Sequence, residues 1–287
     1  MVGIQSHGVR SFFAPAIFEM LAANGAKEKL FLVSFGRGGR QNRRVTIAIG
    51  ATLNAAGILL GAIWGLLRRE AISTRAQVFF RNALGALTIF FGFRLVWLNL
   101  NGTFVGRAEQ VLLAVLALAL GNLLGKVLGL QKISNRLGHH AARFIAEAQR
   151  GRNPSAGFNA CAILYCVAPL GIIGAINDGL SGYFWLLAVK AVMDGLATAS
   201  FVKMFRWPVA LSAIPVFFFF GLITLTCRIY AVAPLASAGL GDSVGMASGF
   251  VACAVALVIF EIRKVELANY LPALVVAPLL TWLVKTI

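Results

Sequence analysis

Charge is scarce in this sequence, and negative charge scarcest of all. Only 13% of the 287 residues are Asp, Glu, Lys or Arg, and the acidic ones number 10, where ordinary soluble domains carry about 25% charged residues. That shortfall excludes a soluble globular enzyme, a disordered tail and a collagen-like rod. Histidine is scarce too: His7, His139 and His140 are all there are, and each lies outside the long apolar runs. The four cysteines, Cys161, Cys166, Cys227 and Cys253, sit within or at the edge of apolar runs with no C-x-x-C spacing, so neither a zinc site nor a disulfide framework is expected. HExxH, the nucleophile elbow and the P-loop are all missing. The expectation is a protein that is not an enzyme and uses no metal and no cofactor, with a membrane enzyme the weakest alternative.

What the chain has in quantity is hydrophobicity: 59% of it is apolar, with a mean hydropathy of +0.84. Several runs approach roughly 20 apolar residues, enough to cross a hydrocarbon core of about 30 Å as helices. Eight segments qualify: Val45–Leu67, Phe79–Leu98, Val111–Leu128, Phe158–Ile176, Tyr183–Val202, Trp207–Cys227, Met246–Ile262 and Ala268–Val284. The fold class expected is all-α, a polytopic transmembrane helix bundle of eight spans, or seven if one of the short last two is re-entrant or lies shallow. Between the third and fourth, Ile133, Leu137, Ala141, Phe144 and Ala148 recur at helical spacing, opposite Lys132, Arg136, His139, His140 and Arg143. That pattern predicts an amphipathic helix over 131–150 lying on the bilayer surface.

A net charge of +16 would suggest nucleic acid in a soluble protein. Here most basic residues lie in short loops between spans, and no soluble part is large enough to read nucleic acid, so that partner is excluded. The loops after spans one, three, five and seven hold twelve Lys and Arg, among them Arg68, Arg75, Arg136, Arg152, Lys203 and Arg263; the alternate loops and the C-terminus hold three, Arg107, Arg228 and Lys285. The positive-inside rule makes the richer set cytoplasmic in a cell (inner) membrane protein. Residues 1–44 conflict with this, since Arg10, Lys27, Lys29, Arg37, Arg40, Arg43 and Arg44 would all have to cross. The segment 1–44 therefore reads as a basic extension separate from the transmembrane domain 45–287, either no part of the mature fold, a cytoplasmic arm with reversed topology, or a basic surface anchor.

Several blocks occur in an order that resembles a known family. Gly50, Asn54, Gly57 and Gly61 are similar to its G-x-x-x-N opening, and Gly121 and Gly125 to its G-x-x-x-G segment. Cys166 to Leu180, C-V-A-P-L-G-I-I-G-A-I-N-D-G-L, is similar to its C-V-G-P-M-A-I-L-G-S-I-Q-D-G-L. Lys190-x-x-x-Asp194-Gly195, then Ser212-Ala-Ile-Pro215, then Ala268-Asn-Tyr-Leu-Pro-Ala273 follow. These blocks resemble the YdfK/YqgA family of bacterial integral membrane proteins, domain of unknown function 554, from Gly50 to the C-terminus. The resemblance implies an integral membrane protein whose biochemistry the family leaves undefined, and transport is the activity it suggests. Three positions depart from it: Phe220 stands in place of a glutamine, Glu266 in place of a basic residue and Lys126 in place of an acidic one.

The residues themselves supply the candidate site. Lys190 and Asp194 lie four apart in span five, on one face of the helix. A lone charge at bilayer centre costs about 2.5–3.5 kcal/mol, so the two read either as a neutralised packing pair or as a cation or proton site in which Asp194 binds and Lys190 tunes or competes. Asn177 and Asp178 read as an external turn from Asn177 to Tyr183, or as a mouth that gathers cations. Asn54 and Asn122 lie within spans and are expected to bond between helices; Arg94 is expected to snorkel outward. Pro169, Pro208, Pro215, Pro272 and Pro278 fall inside spans, and Pro169 with Gly171 and Gly174 is the clearest break, just before Asp178. Broken helices of this kind often bracket transporter sites. Gly57, Gly61 and Gly65 form a small-residue stripe for close packing, and Phe217–Phe220 reads as lipid-facing or core aromatic. Spans two and seven share a loose rhythm of small and apolar residues that allows an inverted repeat.

Taken together, these features give a transporter or channel for a small, cationic or proton-coupled solute. The alternative is a structural or partner-binding subunit. The substrate or ion-binding set is Lys190, Asp194, Asp178, Asn177 and Asn54, and the helix-break set Pro169, Gly171, Gly174, Pro215 and Pro272. Expected partners are the lipid bilayer and a small solute or ion, with a homo-oligomer allowed.

Overall fold

The computed structural model describes residues 48–68, 70, 72–149 and 155–286. The extension 1–44 and Arg152 lie outside the described residues. Eleven α-helices and no strand occur among the described residues, which is what a bilayer demands, because only a helix satisfies its backbone hydrogen bonds within one segment. In chain order they are α1 (Ile49–Leu67), α2 (Thr74–Leu98), α3 (Phe104–Val127), α4 (Leu130–Gln149), α5 (Ala156–Val167), α6 (Pro169–Ser181), α7 (Trp185–Phe205), α8 (Ala213–Thr226), α9 (Val232–Ser237), α10 (Gly241–Ile259) and α11 (Ala273–Thr286). Seven helical stretches are long and apolar enough to span, or eight if the bent pair α5–α6 is one span. The protein is an all-α polytopic helix bundle. Ser73 caps α2, its Oγ accepting from the Ala76 N–H at 3.3 Å, and Thr103 caps α3 by accepting from Gly106 at 3.4 Å.

Four of the five expected breaks take a different form. Pro169 is a true break: Ala168 is extended at φ −60°, ψ 120°, as the residue before proline prefers, and the chain turns 58° there. Pro215 lies in the first turn of α8, just after a 3₁₀ stretch Trp207–Ser212, where its missing N–H breaks no helical bond. Pro272 joins the 3₁₀ turn Leu267–Tyr270 to α11. Gly171 and Gly174 are ordinary helical residues of α6 and break nothing. Span six also runs ten residues past Cys227, through a π-helical turn Cys227–Ala231 into α9. Pro234 explains the widened turn: it cannot donate to Tyr230, four residues back, and its ring crowds that carbonyl.

Glycine contacts fix how the helices run past one another. A Cβ at Gly57 would strike Ala191, at Gly61 Gly195 and at Gly65 Ala199, so α1 and α7 run parallel along the stripe. Gly92 faces Gly249 and Gly245 faces Asn99, so α2 and α10 run antiparallel. Gly121 meets Ala273 and Gly125 meets Asn269, which sets α3 antiparallel to α11. These directions are those of eight spans alternating across a bilayer, with α5–α6 as one. One end of the bundle carries the contact of Lys203 with the Arg68 carbonyl and the 2.5 Å ion pair Arg81–Glu261. The other carries Asn101 on Asp242 at 3.0 Å and Lys285 on the Gly239 carbonyl at 2.9 Å.

Helix α4 matches the expected amphipathic element, but its faces are divided three ways. Gln131, Ser134, Gly138, Ala141 and Ile145 turn inward, and Ala141 is fully buried. Ile133, at 50% exposure, and Leu137 form an apolar strip left uncovered. Lys132, Arg136, His139 and Arg143 form a third, exposed strip. Ala141 thus belongs to the bundle face and not to the uncovered apolar strip. The helix is tied at its start: Asn269 Oδ1 accepts from the Gln131 N–H at 3.1 Å, and Gln131 Oε1 accepts from the Ala268 N–H at 3.2 Å. Glu266, the acidic departure from the resemblance, accepts from Asn269 Nδ2 at 2.8 Å and holds that amide in place.

Candidate functional site

Lys190 and Asp194 lie on the face of α7 that meets α1, α5, α6 and α8, and both are buried, at 3% and 6% exposure. Lys190 Nζ donates to Asp194 Oδ1 at 2.7 Å and to Oδ2 at 2.6 Å. Asn54 on α1 donates from Nδ2 to the same Oδ2 at 3.2 Å. The glycine stripe makes this reach possible, since Gly57, one turn along, brings the α1 backbone against Ala191. One turn further on, Thr198 donates to the Asp194 carbonyl at 2.7 Å and lies 2.8 Å from the Tyr165 hydroxyl. With the threonine proton committed to that carbonyl, the phenol is the donor to Thr198.

Two aromatic rings close over the lysine. Nζ stands 5.7 Å from the ring centres of both Tyr165 and Phe220, within reach of a cation–π attraction. Phe220 is fully buried, whereas Phe218 is 67% exposed, so the phenylalanine run serves core and lipid at once. Gly171 allows the closure: a Cβ there would lie 2.7 Å from Lys190 Cε and 2.7 Å from Phe220 Cε1. Gly174 similarly makes room for Leu187. The ammonium thus sits in a box of one carboxylate and two ring faces.

Asn177 and Asp178 do not form a turn. Both lie inside α6, 2% and 5% exposed, and the loop is only Gly182–Phe184. Turn propensity loses here because Gly182, at φ 72°, ends the helix instead, the left-handed cap that glycine favours. Asn177 Nδ2 bonds back to the Ile173 carbonyl at 2.8 Å. Asp178 Oδ2 accepts from the Gly50 N–H at 3.0 Å, capping α1 from another helix. Gly50 precedes Asn54 by four residues, about 6 Å of helix rise, so Asp178 stands one turn outward of the Lys190–Asp194 cluster. Asn122 Oδ1 is buried and has no hydrogen-bond partner. Asn54 Oδ1 is likewise buried and unpartnered. Pro215 and Pro272 take no part in the cluster.

Among the described residues no group of three or more His, Cys, Asp or Glu could hold a metal ion. A cleft of about 250 Å³ between α2 and α7 is lined by Gln77, Arg81, Met193, Ala197 and Ser200, among others, and a groove of about 540 Å³ runs along α3 near Phe104 and Arg107. Neither is lined by Lys190 or Asp194, so the pair is closed off from both.

The model of a family described as "Protein of unknown function (DUF554)" matches residues 49–282, the whole bundle including this cluster. The chain belongs to the DUF554 family. It is similar to the uncharacterized membrane protein YdfK of Bacillus subtilis (strain 168), 23% identical over 235 residues that cover 82% of this chain and 96% of that one. It is also similar to the uncharacterized protein YqgA of Escherichia coli (strain K12), 26% identical over 234 residues, 80% of this chain and 95% of the relative. No solved structure matches. This DUF554 protein is therefore a membrane protein with a lipid bilayer around its helices.

Sequence reasoning located Lys190, Asp194 and Asn54 and missed Tyr165, Thr198 and Phe220. Thr198 continues the 190, 194 spacing by another four residues, a signal that was there to be read. Tyr165 and Phe220 come from other helices and carry no local signal.

Proposed function

We propose that this DUF554 protein is a transporter or channel, and not an enzyme, that moves a small cationic or proton-coupled solute across the cell membrane, with Asp194 as the group that meets the moving charge. One observation carries the reading: a buried carboxylate in the middle of the bundle, bonded to Asn54 of α1 and to Lys190, whose ammonium lies against rings from α5 and α8, one turn from a second buried carboxylate at Asp178. Asp178 lies on the broken span and Asp194 on the neighbouring α7, so a moving positive charge would meet two carboxylates in succession. The loops after spans one, three, five and seven face the cytoplasm in this reading, since they hold most of the Lys and Arg.

A second reading has an observation of its own. Every oxygen of Asp194 is already bonded, and neither cleft reaches it, as in a subunit whose ion pair only fixes helix packing. Proteoliposome uptake separates the two. Purified protein loaded with a sodium, methylammonium or proton gradient should dissipate at least one of them, and Asp194→Asn should abolish that flux. No flux for any of the three from wild-type protein leaves the structural reading standing.

A further inference from the structure

The cation site proposed above already holds a cation belonging to the protein, and this dictates what must leave when a solute enters. The inference rests on the transport reading and adds its coupling. The groups facing the pair are Asn54 from α1, Tyr165, Cys161 and Cys166 from α5, Gly171 from α6 and Phe220 from α8. Thiols and phenols are neutral near pH 7. The nearest further acid, Asp178, is engaged by the Gly50 N–H one turn away. Lys190 and Asp194 are thus the charged groups of the cluster, and its net charge is zero.

A solute cation that joined Asp194 while Lys190 stayed protonated would leave one uncompensated positive charge in a water-poor site, the arrangement that membrane interiors penalise. Neutrality is kept only if the lysine gives up its proton as the cation arrives. A second, independent feature marks where that cation would sit. Asn54 Oδ1, on a side chain with no exposed surface, accepts no hydrogen bond, although Nδ2 of the same amide is anchored on Asp194. Turning the Asn54 amide over would set that oxygen beside the Asp194 carboxylate, an oxygen ligand set suited to a small hard cation.

We propose that the protein exchanges one small monovalent cation for one proton. The cation binds Asp194 and Asn54 Oδ1 as Lys190–NH₃⁺ becomes Lys190–NH₂ and releases its proton to one side. On the other side a proton returns to the amine, the Lys190–Asp194 pair re-forms, and the cation is expelled. One positive charge moves each way, so the cycle carries no net charge.

The test uses the full chain in detergent and in proteoliposomes, with sodium and methylammonium chloride as probes and N-methylglucamine chloride as the bulky control. In weak buffer, sodium or methylammonium should release one proton per protein molecule and the control none. In vesicles, a cation gradient should drive proton movement the opposite way, at a rate unchanged when a potassium–valinomycin clamp alters the membrane potential. Lys190→Arg is the decisive variant: guanidinium keeps the ion pair and hence the fold but does not deprotonate. It should elute as a single species with wild-type thermal stability and lose at least ten-fold in exchange rate. Wild-type cation flux that carries net charge without proton counterflow would overturn the exchange while leaving the transport reading intact, as would Lys190→Arg exchanging at the wild-type rate. Absence of any cation flux from wild-type protein overturns both.

Discussion

Gly57→Ala is the substitution whose consequence the packing defines best. A Cβ at position 57 would lie 2.9 Å from the Ala191 carbonyl carbon and 3.0 Å from its Cβ, where carbon atoms settle at about 3.5–4.0 Å. Most of the obstacle is helix backbone, which cannot rotate aside, so α1 and α7 must part by about 0.5–1 Å. Asn54 lies one turn away, and its 3.2 Å bond to Asp194 does not survive a separation of that size. Overpacking costs about 1–3 kcal/mol, and a lost hydrogen bond to a charged group about 1.5–3 kcal/mol, so the expected loss is on the order of 3–5 kcal/mol. Gly221→Ala is the matched control, because its Cβ would meet only the Ala51 Cβ, at an ordinary 4.0 Å. Elution of folded protein after a heating series in detergent measures both. A Gly57→Ala midpoint equal to that of Gly221→Ala would refute the claim that α1 must touch α7 for the cluster to form.

Asp178→Ala removes the acceptor of the Gly50 N–H and should lower stability by about 1–2 kcal/mol, whereas Asp178→Asn keeps an oxygen there and should lose less; equal midpoints for the two would rule out the cross-helix cap. Phe220→Leu keeps an apolar side chain but takes a ring face from Lys190, so it should cost about 1–2 kcal/mol, while Phe218→Leu on the lipid side should stay within about 0.5 kcal/mol of wild type. Replacing Lys132, Arg136 and Arg143 together with Gln should erase any extra stability in nanodiscs of phosphatidylglycerol over phosphatidylcholine, up to about 3 kcal/mol at roughly 1 kcal/mol per charge. An undiminished lipid preference would mean that the exposed strip of α4 does not meet headgroups.

Much of the bundle was legible because hydrocarbon imposes a simple rule: an apolar run of sufficient length becomes a helix. All eight apolar segments correspond to helices, with the fourth formed by a bent pair. The Lys190-x-x-x-Asp194 spacing and the Gly57–Gly61–Gly65 stripe were legible for the same local reason, since helical periodicity fixes which side chains share a face. The sequence misled where a long-range partner outweighed a local preference. Asn177 and Asp178 look like turn formers, yet Gly182 supplies the end of the helix and Asp178 serves a backbone N–H 128 positions away. Arg228 and Tyr230 interrupt the hydropathy of span six and hid its continuation through the π-turn to Ser237. Tyr165 and Phe220 reach Lys190 only through packing of α5 and α8, which no spacing along the chain encodes. Gly171 looked like part of a helix break for the same reason; its neighbours, Lys190 and Phe220, are distant in sequence.

The most direct measurement compares Asp194→Asn with the double variant Asp194→Asn, Lys190→Met, scoring monodisperse elution for folding and proteoliposome flux for activity. Removing one member of a buried pair strands the other at about 3–5 kcal/mol, so the single variant should fold poorly and the double variant should recover. If Asp194 meets the moving charge, the recovered double variant stays inactive. A double variant that regains both folding and wild-type cation flux would contradict the account, because the pair would then serve packing alone.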